Sequence, residues 1–193
     1  MAVPPTRLSK QARRAQLLDA ALAIVRAQGT DALTLVTLAE SAGVSRPIAY
    51  DHFGTRPGLL LALYRELDER HQAAAAAAVG NAGPAAAELA RVISAAYFAC
   101  LTDMPELTAL SAALKGDPDM EAAQREMHDA YTDLVAGALQ PHTTLPPAAL
   151  RLRCTGILGA AEAIAAELNH DRATLESAAA ALTDLIVGSL DLR

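Results

Sequence analysis

Four side chains able to contact nucleic acid follow one short turn in the stretch TLAESAGVSRPIAYDHFGTR, residues 37 to 56. The Arg46 guanidinium is a planar fork that can donate two hydrogen bonds to a guanine edge, and Ile48 can contact a thymine methyl group. The Tyr50 hydroxyl and the His52 imidazole can donate to phosphate oxygens. Exposed Arg, Ile and Tyr side chains add no obvious stability to a short helix. Their types therefore indicate binding to phosphates and base edges.

Two short helices joined by a tight turn are predicted to position these side chains. Thr34 is a good N-cap for the first helix, and Leu33 can pack on Leu38 as a hydrophobic staple. Gly43 permits the left-handed backbone that a sharp turn between helices requires. Ser45 can cap the second helix.

The second helix has the sequence RPIAYDHF. Pro47 is tolerated in its first turn, where the missing N–H would have had no partner within the helix. Ala49 and Phe53 are four residues apart and are predicted core positions, which turns Arg46 and Tyr50 outward. A supporting helix, a turn with Gly and a second helix with polar outward residues is the helix-turn-helix pattern, whose second helix enters the major groove of DNA.

Positive charge is concentrated near the start of an acidic chain. The 193 residues carry a net charge of −6, yet residues 1 to 56 contain seven Lys and Arg against four Asp and Glu, so that the remainder carries −9. Lys10, Arg13 and Arg14 lie near the start of a predicted helix from Ser9 to Gln28. A basic N-terminal part on an acidic body indicates that this part can approach phosphates.

Residues 9 to about 65 resemble the DNA-binding domain of the TetR family of bacterial transcription regulators. The resemblance rests on TLVTLAESAGVSRPIAYDHFGTRPGLLLALY, in which the turn, the Tyr-x-His-Phe cluster and the apolar start of the next helix stand at family spacing. It implies phosphate contacts from Thr34, Tyr50 and Arg56, the last at the position of a family Lys, with His52 in support. The predicted DNA-binding residues are Thr34, Ser45, Arg46, Pro47, Ile48, Tyr50, His52 and Arg56. Pro47, Asp51 and Pro57 depart from the usual family residues.

The rest of the chain is also predicted to be helical. Aromatic residues make up only 3% and Ala is abundant, which favours close-packed helices over a β-sandwich. Turn residues divide the chain near residues 80 to 84, 103 to 105, 116 to 118, 141 to 147 and 169 to 171. The predicted fold is all-α with about nine helices, a DNA-binding domain at residues 1–55 and a ligand-binding and dimerisation domain at residues 56–193.

The last two predicted helices, about 146 to 168 and 172 to 190, offer small and apolar side chains for association. Ordinary packing within the chain is the alternative use for these residues. The family resemblance implies a homodimer, and a two-fold dimer doubles the contacts with a palindromic operator. The predicted dimer-interface residues are Gly156, Gly159, Ala160, Ala163, Leu182, Leu185 and Ile186.

The helices that line a cavity in the family carry Tyr, Met and His among aliphatic residues in this chain. Such a mixture suits a mostly apolar pocket with a few polar anchors, although each residue alone is also a common core residue. We expect a small, largely hydrophobic effector, anchored by His128, Tyr131 and Glu162. The predicted ligand-binding residues are Tyr97, Phe98, Leu101, Met104, Leu107, Met127, His128, Tyr131 and Glu162.

We therefore predict a ligand-responsive transcriptional regulator that acts as a repressor. An enzyme is disfavoured because the five His are scattered and no HExxH, GxSxG or P-loop motif occurs, and no metal or cofactor is expected. The alternative is a helical ligand-binding or interaction protein that has lost DNA binding, which Asp51 beside the groove would favour. Cys100 and Cys154 lack metal-ligand spacing and are predicted to be buried reduced thiols. No apolar run reaches the roughly 18 residues of a membrane span, so we expect a cytoplasmic protein.

Overall fold

The computed structural model describes residues 8–190, with the side chain of Leu101 left outside the description. Residues 8–190 form nine α-helices and no β-strand, which confirms the predicted all-α fold. Short 3₁₀ turns at Thr30–Ala32 and Gln140–His142 precede two of them. The helices are α1 (Lys10–Gln28), α2 (Leu35–Ser41), α3 (Arg46–Phe53), α4 (Arg56–Gly80), α5 (Ala86–Asp103), α6 (Pro105–Ala113), α7 (Pro118–Leu139), α8 (Pro147–Asn169) and α9 (Leu175–Gly188).

The last helix begins later than predicted, at Leu175 rather than near residue 172. Thr174 caps it: the Thr174 hydroxyl accepts from the Ser177 N–H at 3.2 Å, and the Ser177 hydroxyl accepts from the Thr174 N–H at 3.0 Å. Arg172 instead pairs with Glu167 through two N···O contacts of 2.6 and 2.7 Å. A reciprocal cap fixes where a helix begins more firmly than an apolar pattern does.

Two compact units divide the described chain. The first contains the described residues up to Leu67 together with Glu106–Glu121, and the second contains Asp68–Pro105 and the described part of Ala122–Arg193. The functional boundary after residue 55 falls within the first of these units and stays a prediction.

The first unit is built on leucines of its short helices. Leu17 of α1, Leu33 before α2 and Leu38 of α2 are fully buried, and Ala49 and Phe53 of α3 are buried as predicted. The Arg26 guanidinium of α1 donates to the Glu106 carboxylate of α6 at 2.7 Å, so α6 is tied to α1 within this unit. The buried Ala49 and Phe53 thus attach the inner face of α3 to the apolar core of this unit.

Replacement of Leu38 by Ala is expected to lower the free energy of unfolding by about 2–5 kcal/mol. The side chain is completely buried, so its removal loses apolar contacts and leaves a cavity. Urea denaturation followed by circular dichroism measures the change. Leu175→Ala is the matched control, because that side chain is 46% exposed and its loss is expected to cost less than about 0.5 kcal/mol. Equal losses in the two variants would show that Leu38 is not a core residue.

The second unit has its core between α5, α8 and α9, which pack on one another. Its buried side chains are almost all aliphatic, with Phe98 and Tyr131 as the aromatic members. Leu182 and Ile186 of α9 belong to this core and are 1% and 0% exposed.

Candidate nucleic-acid interface and effector cavity

The turn between α2 and α3 has the predicted local structure. The Thr34 hydroxyl accepts from the Thr37 N–H at 3.1 Å, and the Thr37 hydroxyl accepts from the Thr34 N–H at 2.9 Å, which makes a reciprocal cap for α2. Gly43 has a φ of +65°, in the left-handed region. The Val44 N–H then donates to the Ala39 carbonyl at 3.0 Å, which closes the end of α2 and sends the chain into α3.

The outward side chains of α3 are placed as a recognition helix requires. Pro47 lies in the first turn, as predicted, and Ser45 is the N-cap residue, although its side chain makes no cap hydrogen bond. Arg46 is exposed and lies 3.4 Å from the Glu40 carboxylate, a surface ion pair that is readily given up. Tyr50 is 50% exposed, whereas Ile48 is only partly exposed. The polar groups at the start of α3 are therefore available to a ligand.

Arg14 holds α3 on α1, a role that its sequence position did not reveal. Its guanidinium carbon lies 5.0 Å from the centre of the Phe53 ring, and one guanidinium N–H donates to the His52 carbonyl at 3.3 Å. The cation over the ring and the hydrogen bond both fix the C-terminal end of α3. Arg14 is therefore a positioning residue, while His52 is only partly exposed.

Arg56 joins the start of α4 to the connection between α1 and α2. Its Nε donates to the Leu33 carbonyl at 3.0 Å and a terminal nitrogen donates to the Thr30 carbonyl at 2.8 Å. The Asp31 carboxylate lies 3.6 Å away. The phosphate contact predicted for Arg56 stays a prediction, and the structure adds that this side chain holds the loop that leads into α2.

An apolar cavity opens into the second unit between α5, α7, α8 and α9. Its walls are almost entirely apolar, as is typical of ligand pockets, and in this conformation it encloses little space. Tyr97 and Tyr131, two of the predicted ligand residues, contribute to its wall. The full lining is Ile93, Tyr97, Tyr131, Thr132, Val135, Cys154, Ile157, Leu158, Ala161, Leu182 and Ile186.

The other predicted ligand residues are dispersed. Phe98 is in the core and packs edge-on against Tyr97 without lining the cavity, and Leu107 belongs to the first unit. His128 and Glu162 form an ion pair of 2.8 Å whose side chains are both about half exposed. Met104 ends α5 and Met127 is partly buried on α7, and neither lines the cavity. Leu101 lies outside the described side chains.

The predicted dimer residues separate into a buried and an exposed group. Leu182 and Ile186 are buried inside their own chain and line the cavity, so they are not available to a second subunit. Two apolar residues four apart on a helix predict an apolar face. The pattern does not indicate whether that face packs inside its own chain or against a second subunit. The exposed or partly exposed members are Gly156, Gly159, Ala160, Ala163 and Leu185.

The segment that carries α2, the turn and α3 is similar to known proteins. Residues 17–63 match the family model described as bacterial regulatory proteins, tetR family. The likeness to the TetR family is thus carried by residues 17–63. The HTH-type transcriptional regulator BetI of Rhizobium meliloti (strain 1021) is 46% identical over 55 residues, which are 28% of this chain and 27% of BetI. The match thus spans about a quarter of that curated relative.

Two solved structures have a similar fold over nearly the whole chain. A protein of unknown function from Rhodococcus sp. RHA1 is 26% identical, with a TM-score of 0.72 and coverage of 98% of this chain and 100% of that one. The multidrug binding protein EbrR, solved with imidazole, is also 26% identical, with a TM-score of 0.61 and coverage of 90% and 94%. The family that residues 17–63 match is one of bacterial regulatory proteins. Among residues 8–190, every helix is too short or too polar to cross a membrane.

Cys154 is buried as predicted, whereas Cys100 is only partly buried, and both thiols are expected to react slowly with disulfide reagents at neutral pH. Burial raises the pKa of the Cys100 thiol to about 11, with the Asp68 charge adding to the effect, and burial raises that of Cys154 to about 11. Since the thiolate is the nucleophile, the rate should be low at neutral pH and keep rising with pH until it levels off above about pH 11. Reaction with Ellman's reagent at pH 7.5, before and after unfolding in urea, measures this. A thiol that reacts in the folded protein as fast as in urea would contradict the prediction.

Proposed function

We propose that this chain is a transcriptional repressor that binds a palindromic operator as a homodimer and is released by a small, largely hydrophobic effector. The observation that carries the proposal is α3, a short helix anchored by Ala49 and Phe53 that presents Arg46 and Tyr50 to the outside. The match of residues 17–63 to the TetR family supports the same assignment.

Sequence recognition and phosphate binding fall to different residues of the interface. Arg46 at the start of α3 is proposed to donate to a guanine edge, and the Ile48 side chain to contact a thymine methyl. Tyr50 and Thr34 are proposed to bind phosphates, with His52 in support. Arg14 and Arg56 position α3 and α2 through the contacts described above.

A homodimer is proposed through the exposed faces of α8 and α9. A Cβ built at Gly156 or Gly159 would meet nothing within 4 Å, so these positions border open space in the single chain. Ala163 of α8 and Leu185 of α9 are also exposed. Small residues on a helix let a second helix approach closely, and two α3 helices related by a two-fold axis read two half-sites one DNA turn apart.

The effector is proposed to enter the apolar cavity of the second unit. Its walls are mostly aliphatic with two Tyr side chains, which suits an apolar ligand with few polar groups. EbrR, the 26% identical protein of similar fold, is called a multidrug binding protein. An effector that binds the released state better would weaken operator binding by a coupling free energy of typically about 1–3 kcal/mol, or roughly 5- to 150-fold.

Selection of bound sequences from a random DNA library tests this function. The expected result is a palindrome whose complex contains an even number of chains and whose affinity falls steeply between 50 and 200 mM salt, as on the order of six or more phosphate contacts require. Absence of enrichment by a folded protein would instead favour a ligand-binding or interaction protein that no longer binds DNA. A regulator of this kind acts on DNA in the cytoplasm, and we propose that location for it.

A further inference from the structure

A polar cluster on α4, α5 and α7 in the second unit is not explained by packing. Asp68 and His71 are three residues apart on α4 and therefore share one face of the helix. His71 is buried, with its ring stacked on that of Tyr131 at a centroid distance of 6.0 Å and an interplanar angle of 14°. Tyr97 packs edge-on against Tyr131, also at 6.0 Å.

Only one oxygen of the Asp68 carboxylate is hydrogen-bonded within the described residues. Its Oδ2 accepts from the Gln72 side-chain amide at 2.8 Å, whereas the buried Oδ1 has no hydrogen-bond partner there. Burial raises the pKa of Asp68, an effect that the Gln72 hydrogen bond and the His71 ring partly oppose. A buried acceptor left without a donor is costly, so such an atom marks a place where a ligand can supply one.

The charge of His71 does not compensate for that of Asp68. Burial lowers the pKa of His71 below its usual 6.5, so the imidazole is mostly neutral at pH 7. The cluster therefore offers a ligand one carboxylate oxygen and the rings of His71, Tyr97 and Tyr131. Carboxylate and ring faces both attract cations.

The same aromatic rings connect this cluster to the apolar cavity. Tyr97 and Tyr131 line the cavity, and Tyr131 also stacks on His71. The Tyr131 hydroxyl donates to the Ile93 carbonyl at 3.4 Å, which keeps its ring between the two regions. Asp68 does not line the cavity, so a ligand that reaches both Asp68 and the apolar wall at Ile157 and Leu158 must displace the Tyr131 ring and widen the cavity.

We propose that the effector is an organic ammonium ion whose N–H donates to Asp68 Oδ1 and whose apolar body occupies the cavity between α5, α7, α8 and α9. This inference rests on the proposed function and specifies its effector class. Asp68 selects the charge of the ligand, whereas the aliphatic wall selects only its size and apolar character.

Three ligands of equal length separate the effect of charge from that of hydrophobicity: octylammonium, octan-1-ol and octanoate. Each is titrated into the full-length protein by isothermal titration calorimetry. Octylammonium should bind at least about tenfold more tightly than octanol, since a hydrogen bond to a charged group exceeds a neutral one, and octanoate should bind least. Equal or tighter binding of octanol or octanoate, or no binding of octylammonium, would overturn the proposal.

Asp68→Asn tests the residue itself, because Asn is isosteric and retains the carbonyl that accepts from Gln72. It should lower octylammonium affinity about tenfold or more and leave octanol affinity within about threefold. Glu69→Gln, the same charge change at the next and exposed position of α4, should leave the preference intact. Circular dichroism establishes that each variant is folded. An unchanged octylammonium affinity in Asp68→Asn would overturn the assignment.

Operator binding in the same samples separates this inference from the proposed function. If octylammonium binds through Asp68 but DNA is neither bound nor released, the cation site stands and the repressor function fails. If DNA is bound specifically while octylammonium fails to bind, the repressor function stands and the cation site is wrong.

Discussion

Arg46→Ala should lower affinity for the selected operator by about 1–3 kcal/mol per half-site, roughly 5- to 150-fold, and leave the protein folded. Arg46 is exposed at the first position of α3, and its only ion pair in the described chain is the 3.4 Å surface contact with Glu40. A fork that donates twice to a guanine edge supplies discrimination of this size. Fluorescence anisotropy with labelled operator, at one fixed salt concentration, measures the change.

The control for Arg46→Ala is Arg91→Ala, which removes the same charge from an exposed position of α5 in the second unit. Its operator affinity should stay within about threefold of the unchanged protein, since an exposed charge that makes no contact with DNA acts only through a screened field. A loss in Arg91→Ala as large as that in Arg46→Ala would mean that overall charge, not α3, determines binding.

Gly159→Gln should convert the dimer to a monomer and reduce operator affinity to the level of non-specific binding, a fall of about a thousandfold or more. A new side chain at this position meets no atom of its own chain within 4 Å, so the monomer should fold normally. In a dimer that brings α8 helices together, the same side chain occupies the space of the partner helix. Sedimentation equilibrium and operator binding on one preparation measure both effects.

Gly137→Gln is the matched control, because Gly137 of α7 is equally exposed and borders equally open space. It should remain dimeric and bind the operator normally. Leu185→Glu, at an exposed position of α9, should repeat the effect of Gly159→Gln by burying a charge in the interface. A Gly159→Gln protein that stays dimeric with full affinity would contradict the proposed interface.

Local chemistry made the helix-turn-helix predictable. Caps, a left-handed glycine and a first-turn proline each act within a few residues, so the positions of Thr34, Gly43, Ser45 and Pro47 could be assigned from the sequence. The Ser45 side chain alone does not make the hydrogen bond expected of a cap. The predicted start of α9 was wrong, because a reciprocal cap at Thr174 sets it and the apolar pattern does not show that cap.

Contacts between distant segments were not predictable in the same way. Leu182 and Ile186 are apolar and four apart, which fits a dimer face and a core face equally well, and they lie in the core. Arg56 was assigned to phosphate from its position, but its bonds to Leu33 and Thr30 depend on how α4 returns to the loop before α2. The cluster of Asp68 and His71 was not predicted, because it forms only where Tyr131 of α7 meets α4.

The most direct test of α3 as a DNA-reading helix is parallel selection from one random DNA library by the unchanged protein and by Arg46→Ala. The expected result is two palindromes that agree everywhere except at one base pair in each half-site, where the guanine preference disappears in the variant. Tyr50→Phe, as a third sample, should weaken binding without changing the preferred sequence, since a phosphate contact carries no base information. Identical base preferences for the unchanged protein and Arg46→Ala, or no preferred sequence for either, would contradict the account.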